Sequence, residues 1–145
     1  MNLPLREEFK QSIRLTVRWG DADMFGHVNN AKFFTYAEQA RIEYFDALRE
    51  QDPKFGQDYG IILASTACDF LVQLHYPAQL DVGMRIEKIG RSSMTARTGI
   101  FVGERAVATV SGVIVWFDYQ QQKTLPVPDH VRAWIRAREV VAPIE

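Results

Sequence analysis

The chain has 145 residues and a formal net charge of −1, with 47% hydrophobic and 24% charged residues. This length fits one domain, which we place at residues 1–145, and the composition is ordinary for a globular protein. The near-neutral charge argues against nucleic acid as a partner, because a surface that binds nucleic acid needs a strongly basic face.

The sequence shows neither a predicted membrane span nor a predicted signal peptide. No apolar run approaches the roughly 18 residues of a membrane span, and residues 1–12 lack the apolar centre of a signal peptide. The single cysteine, Cys68, excludes an intrachain disulfide and agrees with a reducing compartment. We therefore expect a cytoplasmic protein.

The first predicted element is a strand from Gln11 to Trp19, because alternate residues along it are apolar. A polar turn follows, and a helix is predicted to begin near Asn30, since asparagine is a favoured helix cap. The apolar residues that predict this helix recur every three or four positions and are Phe33, Phe34, Ala37, Ala40, Tyr44, Phe45 and Leu48. The free N–H groups at the helix start would point back at the turn and favour negative charge there.

Residues 51–60 are rich in Pro, Gly and Asp and predict a loop. The four strands predicted after it are Thr66 to Tyr76, Leu80 to Ile89, Met94 to Val102 and Arg105 to Asp118. Gly103 and Glu104 suit a two-residue hairpin between the last two.

The remainder is predicted to be a polar loop at residues 119–128 and a short C-terminal helix capped by Asp129, with Val131, Trp134 and Ile135 on its apolar face. This order predicts an α+β fold in which one antiparallel sheet covers one long helix. A single helix cannot shield both faces and the edges of such a sheet, so self-association is expected.

The residue types that carry chemistry are concentrated between Asp21 and Asn30. A carboxylate there can attack a carbonyl carbon or take a proton from water, and N–H donors at a helix start can stabilise an oxyanion. Asp23 can equally stabilise a turn, and we expect a structural role for Asp21. His27 is either a base or a hydrogen-bonding strut, and Met24 and Phe25 either line an acyl channel or simply pack.

The run D-x-D-x-x-G-H-V-N-N, followed by Tyr36, Glu38, Ala40 and Arg41, resembles the hotdog-fold thioesterases of the 4-hydroxybenzoyl-CoA thioesterase type. The later segments Ile89 to Ser93, Trp116 to Asp118 and Leu125 to Pro128 are similar too. The resemblance implies a five-stranded antiparallel sheet wrapped around one long helix, with a short C-terminal helix. It also implies a homodimer joined edge to edge, often paired into a tetramer.

The same resemblance assigns roles to individual positions. It makes Asp23 the catalytic carboxylate and the backbone N–H of Asn30 the donor that polarises the thioester carbonyl. It suggests Arg91, Ser92 and Ser93 as the loop that holds the phosphates of coenzyme A. The His27, Asn29, Asn30 version of the motif is commoner among fatty-acyl thioesterases of the group, which argues against an aromatic substrate.

Basic residues outnumber acidic ones between Arg85 and Arg105, which supports Arg91 as a phosphate ligand, with Arg85 or Arg97 as further candidates. Glu38 is expected to pair with Arg41 or Arg14. No histidine lies at metal-ligand spacing from another, so no metal site is expected, and coenzyme A is needed only as part of the substrate.

Three functions stay open at this point. The first is hydrolysis of an acyl thioester of coenzyme A or of acyl carrier protein, with Asp23 as nucleophile or general base. The second is a hotdog-fold hydratase or dehydratase that uses Asp23 and His27, although the usual spacing of that branch is missing. The third is a non-catalytic module that binds acyl thioesters.

Overall fold

A computed structural model describes residues 3–145, so residues 1–2 of the predicted domain lie outside the described residues. Its helices are α1 (Asn30–Asp46) and α2 (Asp129–Arg138), with short 3₁₀ turns at Arg6–Glu8, Trp19–Asp21 and Ala47–Glu50. Its strands are β1 (Gln11–Thr16), β2 (Tyr59–Phe70), β3 (Gln79–Ile89), β4 (Ser93–Val102), β5 (Arg105–Asp118) and β6 (Lys123–Thr124).

Five strands form one antiparallel sheet in the order β1-β3-β4-β5-β2, and the two-residue β6 adds to β5. The sheet curls around α1, whose residues Phe33, Tyr36, Ala37, Ala40 and Tyr44 are buried against it. The predicted α+β arrangement of one sheet around one long helix with a short C-terminal helix is confirmed. Among residues 3–145, no helix combines the length and apolarity that crossing a bilayer requires.

The predicted strand from Gln11 to Trp19 is too long at its C-terminal end. The ladder ends at Thr16, and Trp19 begins a 3₁₀ turn with 79% of its surface exposed. The turn is held by the Asp21 carboxylate, which accepts a hydrogen bond from the Arg18 N–H at 3.0 Å. This local bond breaks the alternation that predicted a buried Trp19.

The strand predicted from Thr66 to Tyr76 is shifted in the structure. It is β2, which begins at Tyr59 inside the predicted loop and ends at Phe70. The ladder stops there because the N–H groups of Leu71 and Val72 both point to the Val107 carbonyl, at 2.9 and 3.2 Å. Residues 71–76 leave the sheet and run toward the turn that precedes α1.

The outer face of the sheet is partly covered by the N-terminal segment. The Phe9 ring lies over Gly83 and Gly99, and a Cβ at Gly83 would meet it at 2.6 Å. Phe9 also meets Phe101 edge to face, with ring centroids 6.0 Å apart. The glycines therefore make room for a ring on the face that the helix cannot reach.

The two edges of the sheet differ in whether another part of the chain covers them. Beyond the end of β1, the edge of β3 is covered by the C-terminal tail, where the Ile89 N–H donates to the Ile144 carbonyl at 2.8 Å. At the other edge, β2 is 12 residues long and mostly exposed, and within residues 3–145 the only strand that pairs with it is β5. Such an edge is an open template for a further strand.

The second helix begins at Asp129, the residue predicted to be its cap, so it starts one residue earlier than expected. Pro128 is the N-cap and Asp129 is the first helical residue, so the expected side-chain cap by Asp129 is wrong. The predicted apolar face is confirmed, because Val131, Trp134 and Ile135 are buried.

Candidate active site

The turn between β1 and α1 is organised by the carboxylate of Asp23. Its Oδ1 accepts hydrogen bonds from the N–H groups of Phe25 and His27, at 2.9 and 3.1 Å. The Asp23 N–H donates to the His27 carbonyl at 2.8 Å, which closes the turn. Within residues 3–145, no donor reaches Oδ2, so one oxygen orients the carboxylate while the other stays available.

The start of α1 presents a free donor beside this carboxylate. Asn29 is the N-cap, and its side-chain oxygen accepts from the Ala31 N–H at 2.9 Å. The Asn29 N–H donates to the Asp21 carbonyl at 2.9 Å. The N–H of Asn30 has no acceptor in the described part of the chain. It is one of the unsatisfied donors of a helix start, where the helix dipole also favours negative charge.

Asp21 is a structural residue, as its sequence position suggests. It is 8% exposed and accepts hydrogen bonds from the Arg18 N–H and, at 2.8 Å, from the Tyr36 hydroxyl. Burial and the neighbouring Asp21 carboxylate raise the pKa of the Tyr36 hydroxyl far above its usual value. This buried pair fixes the turn to the first two turns of α1.

The second wall of the site comes from residues 71–76, whose path the sequence did not reveal. The Val28 N–H donates to the Leu74 carbonyl at 2.8 Å, and the Tyr76 N–H donates to the Gly26 carbonyl at 2.9 Å. These two bonds flank His27 and His75, which form an antiparallel bridge with ring centroids 4.6 Å apart. Residues 71–76 are therefore hydrogen-bonded to the Asp23 turn and form a wall separate from α1.

A cleft of about 510 Å³ opens between the two walls. One wall is the turn and the start of α1, and the other is the exit of β2. The lining residues are Asp23, His27, Val28, Asn29, Asn30 and Phe33 on the first side and Phe70, Leu71, Val72, Gln73 and Leu74 on the second. Polar residues from the turn, the helix start and Gln73 share the lining about evenly with apolar ones, so the cleft offers both hydrogen-bonding groups and an apolar surface.

The cleft thus brings together the carboxylate, the helix-start amide and the histidine that the sequence singled out. Sequence reasoning missed Phe70, Gln73 and His75, because only long-range pairing brings them to the turn. Met24 and Phe25 do not line the cleft within one chain. They lie at the tip of the turn with 89% and 75% of their surfaces exposed.

Arg91, Ser92 and Ser93 also lie away from this cleft within one chain. Thr16, just before the turn, pairs with Gln79 at the N-terminal end of β3. Arg91 follows the C-terminal end of the same strand. A strand of this length spans roughly 35 Å. The predicted phosphate loop and the predicted catalytic turn therefore sit at opposite ends of the sheet.

Arg85 and Arg97 are placed on the outer face of the sheet. Both guanidinium groups lie near the Glu8 carboxylate, with nitrogen–oxygen distances of 3.4 and 3.8 Å. Their charge is thus shared with an acidic residue far from the cleft. Glu38 pairs with Arg41 at 3.9 Å, one of its two expected partners.

Cys68 is half-buried in β2. Burial and the neighbouring Asp69 raise the pKa of its thiol to about 11, so the reactive thiolate is disfavoured at neutral pH. Among the described residues, no three side chains of His, Cys, Asp or Glu converge to form a metal-binding group. The groups that line the cleft include a carboxylate, an amide donor and an imidazole.

Comparisons with known proteins agree with this geometry. A thioesterase from Thermus thermophilus, solved with coenzyme A and zinc, is 33% identical, superposes with a TM-score of 0.78, and the match covers 92% of this chain and 96% of that one. A chloroplastic acyl-acyl carrier protein thioesterase from Arabidopsis thaliana is 28% identical over 125 residues, 84% of this chain. An uncharacterized protein from Bacillus subtilis is 33% identical over 93 residues, 61% of this chain.

The chain spans 62% of the Bacillus relative and 66% of the Arabidopsis relative. The curled sheet around a central helix is the hotdog arrangement that the sequence motif implied. The model of the thioesterase-like superfamily matches residues 17–135, which begin just after β1 and include the whole cleft and most of α2. This protein therefore belongs to the thioesterase-like superfamily.

Proposed function

We propose that this protein hydrolyses an acyl-CoA thioester to the free acid and coenzyme A in the cleft beside Asp23. One observation carries the proposal: a carboxylate with one uncommitted oxygen and a helix-start N–H without an acceptor line the same cleft. A thioester carbonyl held there would meet a base or nucleophile on one side and an oxyanion donor on the other.

Two routes are compatible with these groups. In the first, Asp23 takes a proton from water, the water oxygen bonds to the carbonyl carbon, and the carbon–sulfur bond breaks to release the thiolate. In the second, Asp23 itself bonds to that carbon and expels the thiolate, and water then hydrolyses the mixed anhydride. In both, the N–H of Asn30 stabilises the negative oxygen, a contribution worth about 10²- to 10³-fold in rate. His27, beside Asp23, is proposed as an orienting residue.

The carrier of the acyl group is proposed to be coenzyme A, and acyl carrier protein is the other candidate. Both present the acyl group on a thioester, so the cleft chemistry is the same for either. The Thermus structure was solved with coenzyme A, and the Arabidopsis relative is named for acyl-acyl carrier protein. A direct comparison of the two thioesters as substrates would distinguish them.

We further propose a homodimer in which β2 pairs with β2 of a second copy, with a dimer of dimers as the larger form. A two-fold axis makes such pairing antiparallel, so the start of one β2 lies beside the end of the other. Ser93 pairs with Val115, and Val115 pairs with Ile62 near the start of β2. The loop carrying Arg91 in one protomer would then lie three strand spacings, roughly 15 Å, from the Phe70 end of its partner. This arrangement would let the phosphate loop of one copy serve the cleft of the other.

The free cysteine fits a reducing environment, and we propose a cytoplasmic location on that basis.

The test is release of free thiol from a panel of acyl-CoA thioesters, followed with a thiol reagent. Thiol release by the wild type and its loss in Asp23→Asn are expected. A change in enoyl absorbance without thiol release would instead support a hydratase or dehydratase. Binding of acyl-CoA without either reaction would support a binding module. Light scattering on the same sample would report the dimer or tetramer.

A further inference from the structure

Two aromatic rings meet inside the cleft at its apolar end. Phe33 of α1 and Phe70 at the end of β2 lie edge to face, with ring centroids 5.1 Å apart and planes at 88°. Phe33 is 2% exposed and also contacts the Tyr36 ring at 6.2 Å, so it is fixed by the core. Phe70 is 47% exposed within one chain, so about half of its surface lies outside the core.

The pair lies a short way along the helix from the oxyanion donor. Phe33 follows Asn30 by three residues, and an α-helix rises about 1.5 Å per residue, so the two positions are about 4.5 Å apart along the axis. An acyl chain that leaves a carbonyl at the Asn30 amide and runs along α1 therefore meets the two rings after a few carbons. Leu71 and Val72 enclose it on the other side.

We propose that the Phe33–Phe70 pair closes the acyl end of the cleft and limits the substrates to short or compact acyl groups. The inference rests on the proposed function, because it takes the Asn30 amide as the position of the carbonyl. Phe70 is the residue that determines this limit. It can be changed without opening the core, whereas Phe33 cannot.

Two substitutions of opposite effect test the proposal. Phe70→Ala removes one ring and deepens the cleft, and Phe70→Trp enlarges the ring and makes the cleft shallower. The measured quantity is the ratio of kcat/KM for octanoyl-CoA to kcat/KM for butyryl-CoA. Each methylene that gains an apolar contact is worth about fourfold, so the ratio should rise about tenfold or more in Phe70→Ala. It should fall below the wild-type value in Phe70→Trp.

Val102→Ala is a matched control, because Val102 is 37% exposed at the hairpin of β4 and β5 and does not line the cleft. Its ratio should equal that of the wild type. Thermal unfolding of all variants checks that each is folded. The proposal would be overturned if the ratio in both Phe70 variants stayed within about twofold of the wild-type ratio, or if it moved in the same direction in both.

A binding measurement separates this inference from the proposed hydrolysis. Titration calorimetry on Asp23→Asn, with and without Phe70→Ala, compares the affinities for octanoyl-CoA and butyryl-CoA. Addition of Phe70→Ala should raise the affinity for octanoyl-CoA relative to butyryl-CoA by a factor similar to that expected for kcat/KM. If the wild type releases no thiol but this preference appears, the length limit stands and the hydrolase proposal fails. If thiol is released but the Phe70 substitutions change neither the kcat/KM ratio nor the affinity ratio of octanoyl-CoA to butyryl-CoA, the hydrolase proposal stands and the length limit fails.

Discussion

Replacement of Asp23 separates its structural role from its chemical one. The structure gives this carboxylate two tasks: Oδ1 accepts the N–H groups of Phe25 and His27, and Oδ2 stays available in the cleft. Asparagine retains the carbonyl oxygen that the two N–H groups need, but it loses the charge that a base or nucleophile needs. Alanine loses both. The pair of variants therefore assigns each effect to one task.

The expected magnitudes follow from these contacts. Loss of a general base lowers the rate by about 10²- to 10⁴-fold, so Asp23→Asn should reduce kcat/KM for an acyl-CoA by that factor. Its free energy of unfolding should change by less than about 0.5 kcal/mol. Asp23→Ala removes two hydrogen bonds worth about 0.5–1.5 kcal/mol each. Because Asp23 is exposed and water can replace the acceptor, a loss of about 1 kcal/mol is expected.

The assays are thiol release from the best acyl-CoA and urea unfolding followed by circular dichroism. Asp21→Asn is the matched control, since it changes a neighbouring carboxylate that is buried and bonded to the Tyr36 hydroxyl. That variant should lose stability, whereas Asp23→Asn should lose activity. An Asp23→Asn enzyme with near wild-type kcat/KM and an unchanged unfolding midpoint would refute the catalytic assignment and leave Asp23 as a turn residue.

Three further predictions concern other parts of the molecule. Arg91→Ala should raise KM for an acyl-CoA about tenfold and spare a small thioester without the nucleotide, because a phosphate contact is lost; equal loss for both would contradict that role. Burial works to raise the pKa of Asp52, but hydrogen bonds from neighbouring side chains outweigh it and hold the pKa below its usual 3.8. The stabilisation by Asp52 is thus present above that value and lost as pH falls through the lowered pKa, so the wild type and Asp52→Asn should differ in urea midpoint at neutral pH and converge in acid. Gly83→Ala should destabilise the fold by about 1–3 kcal/mol in thermal unfolding, because its Cβ would meet the Phe9 ring at 2.6 Å, whereas Gly20→Ala, with nothing within 4 Å, should be neutral.

Local sequence patterns predicted most of the elements. The start of α1 at Asn30 followed from the asparagine cap, and the full extent of β5 followed from its β-branched run. The hairpin at Gly103 has the positive φ of 59° that its glycine suggested. These features depend on residues within a few positions of each other, so their spacing is visible in the chain. β2 was misplaced because an exposed edge strand has little alternation to reveal it.

The sequence by itself determined the fold class, and it also determined the position of the Asp23 turn and the two groups proposed for chemistry, because these lie within one strand–turn–helix segment. Only the tertiary structure decided what faces them. The exit of β2 comes nearly 50 positions later in the chain, yet hydrogen bonds from Val28 and Tyr76 bring it against the turn. The cleft, the His27–His75 contact and the ring of Phe70 all depend on that pairing. Long-range backbone hydrogen bonds leave no periodic signal in the sequence, so the shape of the cleft appears only when the chain is folded.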